Sequence, residues 1–115
     1  MIAIVWKFQV KSGEQDAFER LYGVDGEWSR ANRTTRSFLG TSFLRNQNDP
    51  LQYLVTEYWS EMLVYEQQRV KAAEMFDAVE ATRAALVQSI EPLGVFTALD
   101  VPERAGPAWS QRKSS

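Results

Sequence analysis

The first ten residues constrain this chain more than any other stretch. From Ile2 to Val10 the residues alternate, with Ile2, Ile4, Trp6, Phe8 and Val10 on one face and Ala3, Val5, Lys7 and Gln9 on the other. A period of two held over nine positions makes a strand, because a helix would spread the same side chains around its circumference. The chain thus opens on a β-strand with an apolar inner face, and the remaining elements must cover it.

The elements that follow are legible from spacing and turn chemistry. Ser12-Gly13-Glu14-Gln15 has the form of a capping box, with Phe18, Leu21 and Tyr22 at helical spacing behind it. Gly23 and Gly26 break this helix, which is expected in two pieces over roughly residues 13–22 and 26–35, with Asp25 as a candidate cap for the second. Phe38 to Arg45 and Leu51 to Trp59 read as a hairpin around the turn formers Asn46 to Pro50. Ser60 is placed to cap a long helix with apolar positions from Met62 and Leu63 through Val70, Phe76 and Val79 to Leu86 and Ile90, broken near Arg69–Ala72. Glu91 to Gly94 should end it before a short strand from Val95 to Leu99.

The order β-α-β-β-α-β is the ferredoxin-like split βαβ arrangement, an α+β fold. Such a sheet carries its helices on one face. The other face holds Val5, Leu39, Phe43 or Leu44, and Leu54 or Tyr58, which is much apolar surface to leave in water. Pairing of two sheets in a homodimer would cover it. Residues 1–99 are expected to form the domain. From 100 to 115 the composition turns to that of a tail, with Trp109 as its one large apolar residue.

Composition narrows the chemistry. The 115 residues include neither cysteine nor histidine. No thiolate or imidazole is present to hold zinc, copper or an iron–sulfur cluster, and serine–histidine and cysteine–histidine catalysis are excluded. Scattered carboxylates suggest no metal site. A net charge of −2 speaks against a nucleic-acid partner, and Arg30, Arg33 and Arg36 read as a solvated helix face. The first strand lacks the basic region and cleavage pattern of a signal peptide, and no apolar run reaches membrane-span length. A cytoplasmic protein without a membrane partner is expected.

The opening strand, the break Tyr22-Gly23-x-Asp25-Gly26-x-Trp28, the segment Phe38-Leu39-Gly40-Thr41 and the close of the third strand on Tyr58-Trp59-Ser60 together resemble the antibiotic biosynthesis monooxygenase family over about residues 1–99. The resemblance implies a dimeric α/β barrel, with a ligand cavity between sheet and helices in each subunit. Some members of that family oxidise polycyclic phenols to quinones with molecular oxygen and no cofactor. Others cleave haem through a histidine on the long helix, which this chain does not have.

Cofactor-free oxygenation requires a dry cavity, donors aimed at a developing oxyanion, and a base. Glu57 is the candidate base: inward-facing beside Tyr53, Val55 and Trp59 it would hold its proton tightly, whereas outward-facing it would be a salt-bridge partner, for instance of Arg45. Asn32 and Trp28 are candidate catalytic donors. Trp6, Tyr22, Tyr53, Trp59 and Tyr65 are candidate walls of a small aromatic substrate's pocket. The expected function is that of a monooxygenase on a small aromatic or polyketide-type molecule, with no cofactor and a second copy of the chain as partner. Two other readings stand beside it. One is a binding or dimerisation module in which the tryptophans merely pack against one another, and the other is a haem binder using tyrosine.

Overall fold

The structure, a computed structural model, describes residues 1–23 and 25–100. Its elements are β1 (Ile2–Val10), α1 (Gln15–Tyr22), α2 (Glu27–Asn32), β2 (Phe38–Asn46), β3 (Asp49–Trp59), α3 (Met62–Lys71), α4 (Ala73–Ala84) and β4 (Val87–Thr97). They form an antiparallel sheet of order β2-β3-β1-β4, the ferredoxin-like arrangement expected from the sequence. The expected tail beyond Asp100, Trp109 included, lies outside the described residues.

β1 and β3 occupy the middle of the sheet, and their alternation sets the core. Phe8, Val10, Tyr53 and Val55 point to the helices, where they meet Phe18, Leu21 and Tyr22 of α1, Trp28 and Ala31 of α2, and Phe76 and Val79 of α4. Each large apolar side chain buried in this way contributes roughly 1.5–3 kcal/mol by leaving water. Gly26 makes the turn into α2 possible, since a Cβ there would run into the carbonyls of Arg20 and Leu21. The break between α1 and α2 therefore needs a glycine at this position, and it swings Trp28 into the core.

The C-terminal part differs from expectation. The long helix stops at Ala84, Leu86 and Ile90 are not on it, and β4 spans Val87–Thr97 rather than Val95 to Leu99. The reason is tertiary. β1 has one edge on β3 and its other edge free, and β4 pairs along that edge from Ile2↔Thr97 to Val10↔Val87. Pro92 is tolerated because β4 is an edge strand and its register shifts at Val5/Trp6, beside that proline. The helix break falls where expected, at Ala72, but Leu63 and Val70 of α3 face outward and Gln68 is buried instead.

Expected helix caps are also absent. Glu14, Gly26 and Glu61 are the N-cap residues, none with a side-chain cap, so Ser12, Asp25 and Ser60 do not cap. Of the first box only the Gln15 side chain accepting the Gly13 N–H, at 2.8 Å, is formed. On the sheet face away from the helices, Leu44 lies opposite Leu54 while Phe43 turns into the core. Leu44 is 55% exposed and Phe96 51% in the single chain.

Candidate active site

The odd-numbered residues of β3 from Tyr53 to Trp59 all face the interior and are buried, so Glu57 points inward. It does not meet Arg45, whose guanidinium is 3.0 Å from Glu19. Glu57 is fully buried and is surrounded by N–H donors. Trp28 Nε1–H donates to Glu57 Oε2, Asn32 Nδ2–H donates to the same oxygen at 3.3 Å, and Trp59 Nε1–H donates to Oε1 at 3.1 Å. Three residues from two elements, Trp28 and Asn32 of α2 and Trp59 of β3, thus converge on one carboxyl group. Burial pushes the Glu57 carboxyl above its ordinary value, because a charge without water is unfavourable. The three N–H bonds and the Arg69 guanidinium oppose that rise without cancelling it.

Aromatic rings enclose the cluster. Trp6, half-buried, stands edge-on to Trp28 at 6.3 Å, Tyr22 lies 5.3 Å from Trp28, and Tyr65 stands edge-on to Trp59 at 5.4 Å. Burial raises Tyr22 and Tyr65, which keeps both phenols protonated at neutral pH. Tyr53 is not part of this group. Its hydroxyl donates to Glu19 at 2.6 Å, its ring stacks on Phe43, and its pKa is pushed up to about 12, first by burial and then by that carboxylate.

Two half-buried arginines not singled out by the sequence pack against the interior. Arg69 of α3 lies over Phe76 at 4.6 Å and Trp28 at 5.5 Å, and donates to Tyr65 at 3.2 Å and to Glu80 at 2.6 Å. Arg83 of α4 lies 5.4 Å from Trp28 and donates to the Tyr22 hydroxyl at 2.9 Å. Spacing alone does not reveal them, although both stand at helical intervals from Phe76 and Val79.

A cleft of ≈ 500 Å³ opens between α2 and β2, walled by Tyr22, Ser29, Phe38, Thr41 and Phe43. Thr41 is also the cross-strand neighbour of Glu57. Thr41 Oγ1 and Asn32 Oδ1 are buried without a hydrogen-bond partner. Buried polar atoms are nearly always paired, so two orphan oxygens around one carboxyl group mark a place suited to a donor-bearing ligand. Among the described residues no cluster of acidic side chains is arranged to hold a metal ion.

The model of the antibiotic biosynthesis monooxygenase family matches residues 1–69, from β1 through most of α3. The chain belongs to that family. Its solved relatives are distant in sequence. A Nitrosomonas europaea protein bearing the same family name superposes with a TM-score of 0.70 at 14% identity, covering 87% of this chain and all of that one (100%). SnoaB, a cofactor-independent oxygenase from Streptomyces nogalater, superposes with a TM-score of 0.61 at 18% identity, over 89% of this chain and 97% of its own. A NIPSNAP family protein from Agrobacterium tumefaciens reaches 0.64 at 16% identity, over 86% and 93%. No curated protein matches the chain. At these identities the structural likeness shows the fold, and family membership adds a monooxygenase-type role at the coarse level.

Proposed function

We propose that this protein is a cofactor-independent oxygenase of a small aromatic, polyketide-type molecule, with Glu57 as its base. The observation that carries this reading is a buried carboxyl group of raised proton affinity, held by three N–H donors, whose cross-strand neighbour Thr41 lines an apolar cleft. In the reaction a phenol, or its keto tautomer, loses a proton to Glu57. The anion then transfers an electron to molecular oxygen, and the two radicals combine at carbon. For an anthrone the methylene carbon loses two hydrogens and gains one oxygen atom, and the second oxygen atom leaves as water. The protein supplies the base, a water-poor cavity and aromatic walls. Trp28, Asn32 and Trp59 fix the carboxylate and stabilise its ionised form. Tyr22 and Tyr65, each tied to an arginine, offer donors to a developing oxyanion.

The working unit is a homodimer closed through the uncovered sheet face. Exposed Leu44 and Phe96, with Val5, Leu54 and Tyr58 beside them, favour a second copy as the cover. Sedimentation equilibrium should return twice the chain mass, and a monomer at micromolar concentration would remove this part of the proposal. Among the described residues no helix is long and apolar enough to cross a membrane.

One observation favours a second reading. Every oxygen of Glu57 has a donor and none touches solvent, as in a carboxylate that only fastens α2 to the sheet. Oxygen uptake with anthrone and hydroquinone substrates decides between them. A protein-dependent rate that disappears in Glu57→Gln supports the oxygenase; no rate above background across the panel leaves a binding module.

A further inference from the structure

The bulge near the start of β2 brings Thr41 to face Glu57. Phe38 lies opposite Trp59, but the register then slips, so that Gly40 faces Tyr58 and Thr41 faces Glu57. Continued without the slip, the ladder would set Gly40 against Glu57 and Thr41 against Thr56, on the face away from the helices. Gly40 carries the irregularity with φ of 135°, a conformation that side-chain-bearing residues rarely adopt. The hydroxyl delivered to the interior is left buried and unbonded, so the bulge gives it no partner in the free protein. Glu57, for its part, has no exposed surface, and Thr41 is the residue that both lines the cleft and stands opposite it.

We propose that Thr41 determines specificity in this site: its hydroxyl, unpaired in the free protein, accepts an O–H from a ligand in the cleft. This rests on the reading of the cleft as the substrate site. A hydroxyl has one proton and two lone pairs, so it can accept and donate at once. Asn32 Oδ1, the other unpaired oxygen, stands beside Glu57 as a second acceptor. The ligand class follows: phenols and enols rather than their ethers.

Calorimetric titration of the full chain with 1-naphthol and with 1-methoxynaphthalene tests the anchor. Wild type should bind the naphthol about tenfold more tightly, the size of one hydrogen bond to an otherwise unpaired group. Thr41→Val should abolish that preference and Thr41→Ser should keep it. The valine variant should melt no lower than wild type, because the hydroxyl it loses has no partner. Equal wild-type binding of the two probes, or an undiminished preference in Thr41→Val, overturns the anchor while leaving Glu57 as base untouched. Binding of neither probe removes the cleft as a ligand site and both readings with it. A naphthol preference without anthrone oxidation supports the anchor and removes only the oxygenase.

Discussion

Two glutamates reach aromatic hydrogen-bond donors near the interior, and they differ in what else surrounds them. Glu19 on α1 accepts from the Tyr53 hydroxyl at 2.6 Å and pairs with Arg45 at 3.0 Å, its side chain 39% exposed. Glu57 on β3 accepts from two indoles and an amide, has no exposed surface, and forms no ion pair among the described residues. A carboxylate with a cation and solvent keeps the partners that its charge needs. One that has traded water for neutral N–H groups is held between two tendencies, since desolvation favours the acid and the donors favour the anion. Sequence makes the two look alike. Their surroundings make the first a fastening and the second a candidate for chemistry.

The sharpest way to break this comparison is to remove the charge at each place. Glu57→Gln should lower kcat for the oxidisable substrate by about 10²–10⁴-fold, the usual contribution of a positioned base, with a smaller change in KM. Steady-state oxygen consumption measures it. A variant within twofold of wild type would move the base elsewhere.

Removing a donor sharpens the comparison from the other side. Trp59→Phe keeps a ring against Phe38 and Tyr65 but takes one N–H from Glu57. Leaving that oxygen short of a donor should cost roughly 1.5–3 kcal/mol in urea unfolding. It should also raise the Glu57 carboxyl further, displacing the activity profile to higher pH.

The pH dependence has a definite sign. The folded protein holds the Glu57 proton above the ordinary value of 4.5, so between that value and the raised one it binds more protons than the unfolded chain. Stability contributed by this group is therefore present at the acid end and lost as pH rises through the window. Activity runs the opposite way, since the base works ionised. Thermal melts and kcat measured across the same buffers should cross, and melts that rise through this window in wild type but not in Glu57→Gln would contradict the assignment.

Much of this was open to reading from the chain, for identifiable reasons. β3 alternates cleanly from Tyr53 onward because it buries one face, and that parity alone set Tyr53, Glu57 and Trp59 on one side. Gly26 and Trp28 signalled the break that delivers an indole to the core. The direction of Glu57 was undetermined, since strand parity fixes which residues share a face but not which face meets the helices. β4 was misjudged because Val87 to Ile90 continue a helical spacing, and only the unfilled edge of β1 draws them into the sheet. Thr41 stayed hidden because a bulge reverses parity, and a bulge depends on pairing rather than on local sequence. Arg69 and Arg83 were missed for a related reason: a guanidinium over aromatic rings leaves the same helical pattern as one in water.

The smallest effect belongs to the other glutamate. Glu19→Gln keeps an acceptor for the Tyr53 hydroxyl and removes only the charge that faces Arg45. The pair is open to solvent, where screening and side-chain entropy consume most of the Coulomb attraction. Urea midpoints of wild type and variant should differ slightly at low ionic strength and coincide in molar salt, and kcat should stay at the wild-type value. Loss of activity in this variant comparable to that of Glu57→Gln would mean that the Tyr53 end of β3 takes part in the reaction, and the division between a fastening carboxylate and a reactive one would fall.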